Sequence, residues 1–377
     1  MKVPFIDLGP VTALVKDAAL RAWDRGVDAG EFVGGPSVTA LERALSQRLG
    51  ARQVVTCGSG SAAILIALQA LGIGPGSKVA LPNLTFWASY EPIVHVGATP
   101  VLIDVDPSHL QLDFDQFVGA YETIGFDAAI LVHLMGWATP RLAEFRAFCR
   151  AKGIHLIEDG AQSFATKVHG RSVYEGAQVS TLSFYPAKVI GGCMDGGAIL
   201  TDNDALAAHV RKLCNHGRTS HYAYSHAGWN SRMSGMQAAW LLEVLAQEQT
   251  IVQQRRGLEA AYRGWLAQLD NVVPFGPPAG VEGNGYLSVC TLDSHDVGDV
   301  TATLAACGIS VGRVYPETLD QQPPAACALR FGDLSQGRDF CLKVVNLPLF
   351  YGMTDEQLEW VRTCFTAIVQ GSDGQSP

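Results

Sequence analysis

The sequence has no apolar run of the roughly 18 residues that a membrane-crossing helix needs. Its first stretch, MKVPFIDLGPVTALVKDAALRAW, lacks the unbroken apolar segment and small-residue cleavage site of a secretory signal. It has no CxxC pair. The nine cysteines, at positions 57, 149, 193, 214, 290, 307, 327, 341 and 364, are scattered. An odd, unclustered set of this kind fits reduced thiols better than a disulfide frame or a zinc site. Positive charge is also short: 27 Lys and Arg against 36 Asp and Glu give a net charge of −9. That balance weighs against a polymeric nucleic acid or an anionic membrane as partner, though a local pocket can still hold an anion. There is no internal repeat, and only the tail at 370–377 reads as frayed. These absences predict a cytoplasmic protein with no metal, no nucleic acid and no membrane partner.

What is present is a large apolar chain. Of 377 residues 48% are hydrophobic, which excludes intrinsic disorder. At about 150 residues per domain the length predicts two domains. Seven short apolar runs, at 53–56, 79–81, 101–105, 128–133, 155–157, 179–184 and 198–201, read as strands covered on both faces. Helical patterns fall between them, at 61–71, 114–121, 141–151 and 204–214. This alternation predicts an α/β domain on a mainly parallel, seven-stranded sheet. From 237 to 265 the pattern reads as one long connecting helix. A Pro/Gly-rich stretch at 273–285 and a smaller α+β region follow, so the expected units are 1–245 and 246–377.

In such sheets ligands sit outside the carboxyl ends of the strands, where glycine turns lead into helices. Four features fall there in order. Ser59-Gly60-Ser61-Ala62 opens a helix and offers N–H groups and the helix dipole to a phosphate; alone, it is equally an ordinary capped helix. Asp159, in Glu158-Asp159-Gly160-Ala161-Gln162, ends a strand, where an N-cap is the bland alternative. Lys188, closing Ser183-Phe184-Tyr185-Pro186-Ala187-Lys188, lies beside glycines, although a lone lysine is usually a surface charge. Asn215-His216-Gly217-Arg218 and Asn230-Ser231-Arg232-Met233 are rich in donors for an anion. Each is soft by itself, but the order is informative. A pyridine ring bearing a phosphate and an aldehyde needs an anion cradle, a carboxylate for its ring nitrogen and a lysine. It also needs an aromatic face, which Phe86 or Trp87 could supply. The combination matches pyridoxal 5'-phosphate with Lys188 as the Schiff-base anchor.

At this point the chain resembles the sugar aminotransferases of the DegT/DnrJ/EryC/StrS family, which have the type I fold of pyridoxal-phosphate enzymes. The likeness runs nearly end to end, through Pro4-Phe5-Ile6-Asp7-Leu8, Thr85-Phe86-Trp87-Ala88-Ser89, His133-Leu134-Met135-Gly136, and Leu347-Pro348-Leu349. The segments around Asp159 and Lys188 are its most specific pieces. The resemblance implies that Lys188 anchors the cofactor and shuttles the proton, and that Asp159 keeps the pyridine nitrogen protonated. It also implies that Gln162 bonds the phenolic oxygen and Phe86 stacks on the ring. Gly60, Ser61, Ala62 and Ser183 would hold the phosphate, joined by Asn230 from a neighbouring subunit, which implies a homodimer. Arg232, Arg218, Tyr315 and Tyr185 are the substrate-side candidates. The implied substrates are L-glutamate and a nucleotide-linked keto-sugar, with a slight lean to a UDP- or dTDP-3-keto sugar because Tyr185 stands where many C4 enzymes have His.

The chain departs from the family in several places. Gly160 replaces the usual alanine, a change small enough to tolerate. Val189-Ile190-Gly191-Gly192 and Met194-Asp195-Gly196-Gly197 differ from the usual turns, and Pro316-Glu317-Thr318-Leu319 leads to Asp320 where many members have His. These fall near the substrate, so the cofactor reading stands while sugar and nucleotide stay open. The competing readings are a sugar dehydratase, which Lys188 argues against, an aminotransferase for a 4-keto sugar or a cyclitol, and a catalytically silent cofactor-binding regulator.

Overall fold

A computed structural model describes residues 1–371; the expected frayed tail lies, from 372 onward, outside them. All seven apolar runs are strands: β1 (Gln53–Cys57), β2 (Lys78–Pro82), β3 (Thr99–Ile103), β4 (Ala128–Val132), β5 (His155–Asp159), β6 (Val179–Ser183) and β7 (Gly197–Thr201). They form one sheet in the order β1-β7-β6-β5-β4-β2-β3, parallel except for β7, which runs against both β1 and β6. The register brings Gly197, at the start of β7, opposite Cys57 and Ser183, the last residues of β1 and β6. Strand side chains alternate between two apolar cores: Ala129 and Leu131 of β4 face one, Ile130 and Val132 the other. That double burial is why the runs are continuously apolar.

The sheet has an eighth member that the sequence does not announce. Leu329–Arg330 pairs in parallel with β3 at the edge. It is two residues long and exposed, so it carries no apolar run.

The expected helix at 237–265 is two helices, Gly235–Ala246 and Glu248–Leu266, meeting at Gln247. The first buries Ala238, Leu241, Val244 and Leu245 in a core of the large sheet. The second buries Leu258, Tyr262 and Leu266 in a separate core around the antiparallel strands Val272–Phe275, Ser288–Leu292 and Val344–Leu347. The second helix begins in the first helix's core, where it buries Ile251 and Val252, and passes into the other core from Leu258 onward. Val3 also joins this last core and pairs with Ile309. Among the described residues no helix is long and apolar enough to cross a membrane, and no group of three or more His, Cys, Asp or Glu could hold a metal ion.

Candidate active site

Asp159 sits at the carboxyl end of β5, almost fully buried. Ser89 Oγ donates to its Oδ2 at 2.8 Å, and the N–H of Ala161 donates to its Oδ1 at 3.1 Å. Gln162, one turn further, accepts from the N–H of Met135 at 2.7 Å and donates through Nε2 to the Tyr315 hydroxyl at 2.9 Å. Burial pushes the Tyr315 phenol well above its usual range, so it stays protonated at neutral pH. Phe86 stacks against Tyr315, with ring centroids 5.9 Å apart. Lys188 follows β6, its Nζ 3.3 Å from the Tyr286 hydroxyl. Asp159, Gln162, Lys188, Phe86, Tyr185, Tyr286 and Tyr315 line a single cavity of about 710 Å³.

The helix Gly60–Ala70 points its N-terminus at the same cavity, where Ser59, Gly60, Ser61 and Ser183 are lining residues. Ser59 Oγ caps it by accepting from Ala62 N–H at 3.1 Å. Ala62 does not line the cavity: its N–H serves the cap, which leaves the N–H groups of Gly60 and Ser61 for an anion. Two glycines permit the crowding here. A Cβ on Gly60 would meet Ser183 Cβ at 2.8 Å, and one on Gly197 would run into the Ser59 carbonyl. Gly191 and Gly192 line the cavity, whereas Gly196 and Gly197 lie outside its lining. Gln237 staples the adjoining loop, accepting from Cys193 N–H and donating to Met194 O.

The structure therefore brings together most residues singled out by the sequence, with corrections. Phe86 faces the cavity, while Trp87 packs on Tyr90 with ring centroids 4.6 Å apart. Arg218 does not line this chain's cavity: its guanidinium bonds the carbonyls of Ser220 and His221 within its own hairpin. Asn230 and Arg232 also lie outside it, bonded to each other at 2.6 Å. Asp320 does not reach the cavity either; it is held by Asn83, Thr318 and Arg338. Gly160, where the family usually has alanine, lies against Tyr174, whose Cε1 would be 2.5 Å from a Cβ placed there. Sequence reasoning gave no role to Ser89, Tyr286 or Arg255. Ser89 lies in a matched motif and was within reach; the other two come from beyond Gln247, and only the tertiary packing that brings them to the cavity reveals them.

The donor set fits pyridoxal phosphate. One cavity offers a carboxylate held by two bonds, a primary amine, an aromatic wall and a helix N-terminus cleared by glycines. Residues 15–366 match the profile of the DegT/DnrJ/EryC1/StrS aminotransferase family. The chain is 34% identical over 350 residues to the UDP-2-acetamido-2-deoxy-3-oxo-D-glucuronate aminotransferase of Pseudomonas aeruginosa, covering 92% of this chain and 95% of that one. It is 30% identical over 369 residues to the UDP-N-acetyl-3-dehydro-alpha-D-glucosamine 3-aminotransferase of Acidithiobacillus ferrooxidans, with 98% of each covered. Among solved structures it is similar to S. venezuelae DesV in complex with a ketimine intermediate, with a TM-score of 0.93 and 29% identity. That match covers 99% of this chain and all of the other.

Proposed function

This chain belongs to the DegT/DnrJ/EryC1/StrS aminotransferase family, and from that premise we propose how its residues carry out the transfer of an amino group to a nucleotide-linked keto-sugar. It is a pyridoxal-phosphate-dependent sugar aminotransferase that makes amino sugars. The acceptor is a 3-keto sugar linked to a nucleoside diphosphate, and the donor is L-glutamate. Support for the aminated carbon comes from the two relatives above, whose names place a 3-oxo or 3-dehydro group on a UDP-sugar.

The cofactor, when bound, supplies an electron sink for the carbanion formed on either substrate. Asp159 would hold its ring nitrogen, Gln162 its phenolic oxygen, and Gly60, Ser61 and Ser183 its phosphate. Lys188 would anchor the group, and its Nζ, once free, would take up and return the substrate's proton. Phe86 and Tyr315 would form an aromatic wall against the ring. Tyr286 orients Lys188 through its hydroxyl. Units 1–245 and 246–377 both contribute, the second through Tyr286 and Tyr315. A homodimer in the cytoplasm, with Asn230 reaching the partner's phosphate site and Arg232 the sugar nucleotide, completes the reading.

The observation that carries this is Lys188 Nζ, with no carboxylate among the described residues within 4.0 Å, in one cavity with Asp159, Gln162 and the helix N-terminus. The purified protein should be yellow, and glutamate should bleach the visible band. The bleached form should then aminate one member of a panel of keto-sugar nucleotides, identified by mass spectrometry. A Lys188→Ala protein that still converts glutamate to 2-oxoglutarate would sink the proposed role.

A further inference from the structure

Arg255, on the helix Glu248–Leu266, is 8% exposed and lines the same cavity as Lys188. Its Nε donates to Gly285 O at 3.0 Å, and its Nη2 donates to Tyr286 O at 3.0 Å and Leu349 O at 3.3 Å. Three neutral carbonyls satisfy N–H groups but cancel no charge. No carboxylate among the described residues lies within 4.0 Å of the guanidinium, and burial pulls its pKa down to about 10. Among the described residues Nη1 has no hydrogen-bond partner, and it is not one of the fully enclosed, unpartnered atoms, while Arg255 itself lines the cavity. Among the described residues Arg255 and Lys188 are the only lysine or arginine residues in the lining.

The two cations are tied to opposite ends of one residue. The Tyr286 hydroxyl contacts Lys188 Nζ at 3.3 Å, and its carbonyl accepts from Arg255. An anion seated on Arg255 would therefore share the cavity with the Lys188 amine. The wall beside Arg255 is largely apolar, with Ile251, Leu349, Phe350 and Tyr351, which suits the carbon chain of an amino acid. The arginines suited to a diphosphate, Arg218 and Arg232, lie outside the cavity.

Resting on the proposed glutamate donor, we infer that Arg255 binds a carboxylate of the amino donor and so completes a donor subsite opposite Lys188. A carboxylate could also arrive on an acidic acceptor sugar, and the test separates the two sources. The holoenzyme is titrated with glutarate, a dicarboxylate without an amine, and separately with glucuronate. Glutarate should bind and compete with glutamate. Arg255→Gln should weaken glutarate by roughly tenfold to a hundredfold, the scale of losing a charge-assisted hydrogen-bonded pair. KM for glutamate should rise by more than kcat falls, and Arg255→Lys should recover part of the loss.

A folded Arg255→Gln protein that binds glutarate like the wild type overturns the assignment; so does a loss confined to glucuronate. Because Arg255 also braces three carbonyls, the wild-type holoenzyme supplies a second measurement. An arginine-selective dicarbonyl should label Arg255, and glutarate should slow the labelling at that residue, located by tandem mass spectrometry. No labelling, or labelling indifferent to glutarate, overturns the subsite. Glutarate binding needs no turnover. A holoenzyme that binds it through Arg255 but ignores glutamate counts against the proposed reaction instead.

Discussion

A Cβ at Gly160 would lie 2.5 Å from Tyr174 Cε1, and the Tyr174 hydroxyl donates to Gly160 O at 3.0 Å while sitting 3.0 Å from Ser163 Oγ. Tyr174 is buried in a core of the large sheet, so its ring cannot swing aside without opening that core. Gly160→Ala should therefore cost about 1–3 kcal/mol, the usual range for overpacking a filled site. The strain falls next to Asp159, so the variant should also retain less cofactor. Thermal melting together with the visible absorbance per subunit measures both effects; an unchanged melt and full occupancy would show that the ring gives way. From the sequence, Gly160 is only a small departure beside a strong motif. Its reason lies in Tyr174, fourteen residues on, and no local pattern encodes that contact. Asp159, Gln162 and Lys188 were legible because strand ends and glycines mark them in one dimension. Tyr286 was not, because its contact with Lys188 spans 98 residues.

Between β2 and the segment that carries Tyr315 there is a buried latch. The Asp320 side chain is 1% exposed and accepts from Asn83 Nδ2 at 2.8 Å, Thr318 Oγ at 2.6 Å and the Arg338 guanidinium. Asn83, just past β2, returns bonds to the N–H groups of Leu319 and Asp320. The latch fixes the stretch after Tyr315 to the stretch before Phe86, the two rings that stack. Asp320 thus acts on the site through position, without reaching the cavity. Asp320→Ala should lose about 1–3 kcal/mol by stranding buried donors, and should raise KM for the sugar more than it lowers kcat. Burial alone would raise the carboxyl pKa, but the bonds from Arg338, Thr318 and Asn83 outweigh it and hold it below 3.8. That contribution is complete above pH 3.8 and is lost as pH falls through the lower folded value. Acid melts of Asp320→Asn should lack this part of the slope; identical acid limbs would remove the latch from the account. At this scale the sequence was informative wherever burial was two-sided, as in β1 to β7. It was silent where an element is short and exposed, as at Leu329–Arg330, or where two good helices meet at an unremarkable Gln247.

At the scale of the whole molecule, the donor-rich segment lies apart from the cavity it was expected to serve. Asn230 and Arg232 are not in the lining, yet exposed apolar residues cluster on neighbouring chain: Phe32 (56%), Val33 (58%), Tyr222 (84%) and Tyr224 (59%). Val33 pairs with Ser234, and Asn215 with Asn230, so these segments are joined by backbone bridges. Exposed aromatic and aliphatic groups beside cationic and amide donors mark a surface suited to another protein. The proposed homodimer would place that surface at the mouth of the partner's cavity, with Asn230 at the other subunit's phosphate site. Two variants make the arrangement testable. Lys188→Ala removes the amine from a subunit's own cavity, and Asn230→Ala removes a group delivered to its partner's. If sites are shared, a mixed dimer holds one site lacking both groups and one intact site. Random exchange of equal amounts then makes half the dimers mixed, and activity should return to about a quarter of the wild-type level. If each subunit serves its own site, every mixed dimer holds one Lys188→Ala site and one Asn230→Ala site, and activity stays at the average of the two parents. Size-exclusion chromatography with light scattering should give a dimer, and mass spectrometry of differently tagged subunits should confirm that exchange took place before activity is compared.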